Sequence, residues 1–240
     1  MATPARRLQL RQRFVDYTLG LWHFLAVDPR VPPALRAEMA GYSLCADEWP
    51  ELQHLPPTPY IREGRRLLSD DVFTQEDYRR RSGAHLPPGT PGVAATSPLA
   101  FSVALGFWFI DCHPVRHTAV AGLLRNEGCL QHSGGNGGSS PFEVPFGILV
   151  PRAGAVDNLL AVCAVGASHV GFQPLRVEPT FMALGQAAGT AAALALQNGI
   201  TPRVLGAARL QAALREQGAI LTLGEQRPAP VRALCAPPQA

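Results

Sequence analysis

The stretch NLLAVCAVGASHVGFQPLRVEPTFMALGQAAGTAAALA, residues 158–195, decides the fold of this chain. It opens with an almost continuous apolar run at residues 158–167, which predicts a strand buried on both faces, as in a parallel sheet. Ser168 and His169 then introduce polarity. Residues 180–197 follow with a pattern that predicts a helix. This order of strand, polar bend and helix indicates an α/β architecture.

The predicted helix is unusual because most of its residues are small. Pro179 at its start and Asn198-Gly199 at its end are the usual signals of a helix beginning and ending. Small residues recur within it at spacings of three and four, which places them on one face: Gly185, Ala188, Gly189, Ala192 and Ala193. We therefore expect close approach by a neighbouring element, through tight packing, or by a bulky planar ligand near the amino end of the helix.

The composition predicts a globular chain with a sizeable core. Of the 240 residues, 47% are hydrophobic and 16% are charged. Lys and Arg number 21 against 18 Asp and Glu, and the basic residues are scattered, which argues against a nucleic-acid surface. No apolar run reaches the roughly 20 residues of a membrane span, and the opening segment is too charged for a secretory signal.

The cysteines argue against a disulfide framework and against a zinc site. They are odd in number, widely spaced and free of any CxxC pair. We expect unpaired thiols in a reducing compartment and therefore a cytoplasmic protein, with Cys163 an inert, buried residue of its strand. Asp111 and His113 have the spacing of a metal pair, but no third ligand is evident, so no metal is predicted.

Other elements are predicted around the central stretch. Proline- and glycine-rich loops are expected at residues 82–98 and 133–140. The predicted regular elements are helices at residues 8–27, 32–39 and 204–217 and a strand at residues 101–110.

Residues 158–195 resemble the final segment of FAD-dependent oxidoreductases with a glutathione-reductase-like fold. The apolar strand, the Ser168-His169 step, RVEPT at 176–180 and GQAAGTAAALA at 185–195 occur in the order and at the separations of that family. In the family, the strand leads to the isoalloxazine ring, and the helix points its amino end toward the pyrimidine edge of the flavin.

The resemblance extends upstream with less specific motifs. These are PYIREGRRLLSDDVFTQED at 59–77, LGFWFIDCHPVRH at 105–117 and PFEVPFGILVP at 141–151. The similarity implies an α/β (α+β) chain with a partial FAD/NAD(P)-binding fold. It divides the chain into a helical and mixed substrate or cap region at 1–140, the carboxyl-terminal part of the FAD-binding domain at 141–222 and a flexible tail at 223–240.

Two departures from the family pattern stand out. Val162 and Cys163 occupy positions where members often have Gly-Arg. The amino-terminal GxGxxG turn, which would hold the FAD pyrophosphate at a helix start, is not found. The resemblance implies FAD as cofactor and a small-molecule substrate. The missing turn implies a fragment of either a split enzyme, in which a separate chain carries the dinucleotide-binding half, or a truncated one.

The resemblance implies catalytic roles for His169, as the proton-handling group, and for Arg176, as the substrate anchor. It implies flavin contacts for Ser168, His169, Arg176, Glu178, Thr180, Met182 and Gly185.

Each of these residues also has a structural explanation. His169 and Ser168 suit a loop in which their polar groups are satisfied by the backbone. Arg176 and Glu178 lie two apart, which suits either an ion pair between them or a substrate-binding arginine with its orienting carboxylate. Met182 suits a core position.

The leading functional hypothesis is hydride transfer from an organic substrate to FAD. The rival hypothesis is a non-catalytic remnant or partner subunit of a split flavoenzyme. A hydrolase or lyase has only the Asp111 and His113 cluster in its favour, with no pair of carboxylates at a convincing spacing.

Overall fold

The computed structural model of the protein describes residues 3–82, 97–113, 116–127 and 140–225. The chain forms two compact units, residues 1–63 and residues 64–240. Most of the predicted loop at 82–98, nearly all of the loop at 133–140 and most of the predicted tail lie outside the described residues.

The first unit is built on two helices. Helix α1, Pro4–Val27, packs against α2, Pro33–Ala40. The indole N–H of Trp22 donates to the carbonyl of Met39 over 3.2 Å and fastens one helix to the other. A short 3₁₀ helix, Pro50–Leu52, follows. Both helices predicted for this region are confirmed, although α1 begins earlier than expected.

The second unit combines helices with small antiparallel sheets, which confirms the mixed α/β (α+β) class. Its elements are α3 (Gln75–Arg81), β1 (Ser102–Trp108), β2 (Arg116–Val120), β3 (Leu123–Glu127), β4 (Ser140–Pro145), a 3₁₀ helix (Phe146–Leu149), α4 (His169–Leu175), α5 (Glu178–Gln197), a 3₁₀ helix (Pro202–Val204) and α6 (Ala207–Glu216).

The described strands of the second unit pair in small antiparallel sheets. Strand β1 pairs with β4, and β2 pairs with β3. The predicted strand at 101–110 and the helices at 180–197 and 204–217 are confirmed as β1, α5 and α6.

The prediction of a buried strand at residues 158–167 is wrong. The segment is irregular, and it meets its neighbours at separate points instead of along a ladder. The amide of Ala161 donates to Leu149, and the amide of Gly166 donates to Ile148. Its apolar character reflects one-sided burial, because Val165 is fully buried whereas Cys163 is exposed. The expectation that Cys163 is a buried strand residue is therefore also wrong.

Helix α5 forms one wall of the core of the second unit. It contacts β1 and α6 through a face whose members are all small or aliphatic. Such side chains let the helix backbone approach the sheet closely. The buried residues of this face are Thr180, Leu184, Ala187, Ala188, Ala191 and Ala195.

Helix α4 lies directly against the residues that precede α3. A side chain at Gly171 would collide with the backbone of Phe73 and Thr74. Glycine therefore permits a close approach that any other residue would prevent. This contact fixes the position of the first turn of α4 against the chain before α3.

Candidate functional site

Ser168 holds the start of α4 in place. Its hydroxyl accepts from the amide of Gly171 over 3.0 Å and caps the helix, and its own amide donates to the carbonyl of Phe73 over 2.9 Å. An N-cap serine typically contributes about 1 kcal/mol to stability. The polar bend predicted at this point is therefore the start of a further helix, α4, which the sequence analysis did not predict.

His169 is the first residue of α4 and is exposed. Its Nε2 atom lies 3.6 Å from Sγ of Cys112, a residue just beyond the end of β1. Its carbonyl accepts from the side-chain amide of Gln173 over 3.2 Å. The imidazole is thus placed by a helix start on one side and by a buried thiol on the other.

Arg176 ends α4 and is held by two side chains. Its guanidinium donates to Oδ2 of Asp111 over 2.6 Å, and its Nε atom donates to Oε1 of Gln173 over 3.1 Å. The arginine side chain is only 8% exposed, so this charge-assisted bond is screened less than a surface pair. The second carboxylate oxygen of Asp111 lies 3.1 Å from Nε2 of His113.

The partner of Arg176 is the part of this cluster that the sequence analysis missed. Arg176 and Glu178 do not lie along one extended segment, because Arg176 closes α4 and Glu178 opens α5. The ion pair that Arg176 forms is with Asp111, which the sequence suggested only as half of a metal pair with His113. Among the residues that the structure describes, no three His, Cys, Asp or Glu side chains gather where they could hold a metal ion.

The amino end of α5 has no side-chain cap. Val177 precedes the helix and cannot accept from its first amides, while Glu178 lies exposed in the first turn. Thr180 is buried, at 2% exposure. The backbone donors of this turn and the positive end of the helix dipole therefore suit an electron-rich group.

The small residues of α5 divide between two faces. Ala188 packs into the core, but Gly185 and Gly189 are exposed, and a Cβ atom added to either would meet nothing within 4 Å among the described residues. Met182 on the same side is 74% exposed, so the expectation that it is a core residue is wrong. Packing within the described chain does not explain these two glycines, whereas close approach by a ligand or another protein segment would.

The capped start of α4, the held guanidinium of Arg176 and the exposed small-residue face of α5 thus lie within one stretch of the chain. Comparison with known families shows what this stretch belongs to: the model of the family "FAD dependent oxidoreductase" matches residues 2–214. The chain belongs to this family. No curated protein and no solved structure shows a significant match.

FAD is the cofactor of the family, and the residues present fit it. The exposed glycine face of α5 would leave room for a flat ring, and the backbone amides of its first turn would be available as donors to oxygens at the edge of that ring. None of the helices among the described residues is both long enough and apolar enough to cross a membrane.

Proposed function

We propose that this chain forms the flavin-facing and substrate side of an oxidoreductase that removes hydride from an organic substrate. The observation that carries the proposal is the open face of α5, where Gly185 and Gly189 have free space beside them. FAD, when bound, supplies the hydride-accepting chemistry, and the protein supplies position and electrostatics.

The flavin contacts are assigned to the region from the bend to the second turn of α5. The amides of Glu178 and Thr180 would donate to acceptor atoms of the flavin, and Gly185 would permit its close approach. Ser168 uses a lone pair for the helix cap, which leaves its proton for donation. The exposed thioether of Met182 would contact the ring.

The chemical roles fall to His169 and Arg176. His169 carries an exposed imidazole, a side chain that can act as a general acid or base, so it is the group assigned to handle the proton that accompanies hydride transfer. Arg176 anchors negative charge at this end of the site. Because Asp111 and Gln173 already engage its guanidinium, we favour a fixed positive charge over direct exchange of partners with a substrate carboxylate.

The remaining flavin-binding machinery is assigned to a glycine-rich dinucleotide-binding segment outside the described residues, which a separate chain could supply. Its supporting observation is that the outward face of α5, including Leu196 at 84% exposure, is not covered by any described part of this chain.

The substrate is a small molecule. The functional boundary predicted at residue 140 and the cytoplasmic location remain predictions; unpaired Cys45 and Cys163, both exposed, support the location.

The same uncovered face favours one alternative function. A non-catalytic partner subunit would use Gly185, Gly189 and Leu196 to pack against another protein, with no flavin between them. This alternative predicts complex formation without the absorbance of bound flavin.

Reconstitution separates the two functions. The chain is co-expressed with a dinucleotide-binding half from a flavoprotein of the same family and purified in the presence of FAD. Retention of flavin absorbance in the complex that contains the wild-type chain, but not in the complex that contains its Gly185→Leu variant, supports the oxidoreductase. A stable complex that holds no flavin supports the partner subunit.

A further inference from the structure

The contact between Cys112 and His169 has no part in the flavin contacts assigned above. The two residues are 57 positions apart, and their Sγ and Nε2 atoms lie 3.6 Å from each other, which suits a hydrogen bond to sulfur. Cys112 is 6% exposed and belongs to the core cluster of the second unit. The sulfur is therefore fixed by packing, and the contact is not a chance meeting of two mobile surface side chains.

The chemistry of the two groups decides which one donates. A buried free cysteine behaves as a small apolar residue with a weak S–H donor, and its sulfur is a weak acceptor. An unprotonated imidazole nitrogen is a good acceptor. The S–H of Cys112 directed at Nε2 of His169 therefore makes better use of both groups than the reverse arrangement.

The backbone of His169 is also fixed. Ser168 caps α4 immediately before it, and the side chain of Gln173 donates to its carbonyl over 3.2 Å. Once the backbone is held, the remaining freedom of the residue is the rotation of its ring and the choice of tautomer. The hydrogen bond made by one ring nitrogen determines which nitrogen carries the proton.

We propose that Cys112 is a positioning residue that holds neutral His169 in the form protonated on Nδ1. The ring N–H of His169 is then at Nδ1, and an imidazole N–H is a group that can stabilise developing negative charge. The catalytic consequence rests on the proposed function, because it assumes that His169 meets the substrate or the flavin. The tautomer does not depend on that function and can be measured on the chain without cofactor.

The test is ¹⁵N nuclear magnetic resonance of the chain labelled at its histidines, recorded in alkaline solution. His169 is assigned from the signal missing in His169→Gln. In the wild type we expect the Nε2 shift of an unprotonated nitrogen and the Nδ1 shift of a protonated one. Cys112→Val keeps the volume but removes the donor, so we expect loss of this single-tautomer pattern. Cys112→Ser keeps a donor and should restore it.

Cys163→Ala is the matched control, because Cys163 is a free but exposed cysteine whose removal should leave the His169 signals unchanged. A protonated Nε2 in the wild type overturns the proposal, whether or not any variant folds. An unchanged pattern in folded Cys112→Val also overturns it. If the tautomer of His169 changes in Cys112→Val but the chain never binds flavin, the positioning role of Cys112 is supported and the oxidoreductase function is not. Failure of one proposal can therefore be told from failure of the other.

Discussion

The guanidinium of Arg176 and the carboxylate of Asp111 are joined by a 2.6 Å hydrogen bond that spans 65 positions of the chain. It connects the end of α4 to the segment after β1. The arginine side chain is 8% exposed and the aspartate side chain 25% exposed, so each charge loses much of its hydration and depends on the other.

Breaking this pair should destabilise the second unit. We expect Asp111→Asn and Arg176→Gln each to lower the free energy of unfolding by about 2–3 kcal/mol. The double variant should lose less than the sum, with a coupling energy of about 1 kcal/mol or more. Urea unfolding measures all three values. The matched control is Glu76→Gln, which breaks the exposed Arg80–Glu76 pair and should cost about 0.5 kcal/mol or less.

Gly185→Leu should separate flavin binding from folding. The space beside Gly185 is open, and leucine has the better helix propensity, so stability should stay equal or rise by up to about 1 kcal/mol. The added side chain would occupy the place assigned to the flavin, and FAD titration of the reconstituted complex should show at least a tenfold loss of affinity. Gly20→Leu on α1 has equally open surroundings and should leave FAD affinity unchanged. Equal affinity in both variants would place the flavin elsewhere.

Asp71→Asn should stabilise the protein at neutral pH. Burial raises the pKa of Asp71 against the opposing effect of its hydrogen bond with Ser97, and among the described residues its Oδ2 atom has no hydrogen-bond partner. A carboxyl whose folded pKa lies above its unfolded value costs stability as pH rises from the unfolded value through the folded one. The gain from the asparagine should therefore be largest above the folded pKa and vanish in acid, as measured by urea unfolding across that range.

The neighbouring Asp70 provides a control of opposite sign. The amide of Ala153 and the guanidinium of Arg203 both donate to it and lower its pKa. Its contribution to stability is present above the unfolded pKa and is lost as pH falls through the folded one. Asp70→Asn should consequently destabilise the protein at neutral pH, and the same sign for both variants would contradict this account.

Ser168→Ala should weaken the start of α4. Loss of the cap to the amide of Gly171 is expected to cost about 1 kcal/mol, whereas Ser168→Gly should cost only a few tenths. Thermal unfolding of the two variants compares these values. Equal losses would indicate that the hydroxyl does not act through the cap.

The sequence predicted α5 well because its signals are local. Proline in the first turn, Asn198-Gly199 after the last turn and a majority of Ala, Leu, Met and Gln residues between them need no tertiary information. The segment at 158–167 was mispredicted because an apolar run reports burial and not pairing. Its backbone amides donate hydrogen bonds to separate carbonyls, such as those of Leu149 and Ile148, and no local pattern specifies these partners.

The residues of the candidate site also divide into those that a local sequence motif predicts and those that only the fold brings together. Ser168, His169 and Arg176 could be selected from one contiguous motif, since they lie within nine positions of each other. Their partners Asp111 and Cys112 come from a distant segment, and only the folded chain brings them together. Long-range contacts between side chains cannot be inferred from a single sequence without a pattern that links the two segments.

The neighbouring residues Phe73 and Thr74 each hold one helix start. The carbonyl of Phe73 accepts from the amide of Ser168 and lies against Gly171 at the start of α4, whereas Thr74 caps α3 through its reciprocal hydrogen bonds with Asp77. The position of the imidazole ring of His169 therefore depends on the loop that contains Phe73, almost a hundred positions earlier in the chain. A substitution that tilts this peptide group would move the ring without touching any atom of the site, so sequence changes around residue 73 should tune reactivity from a distance.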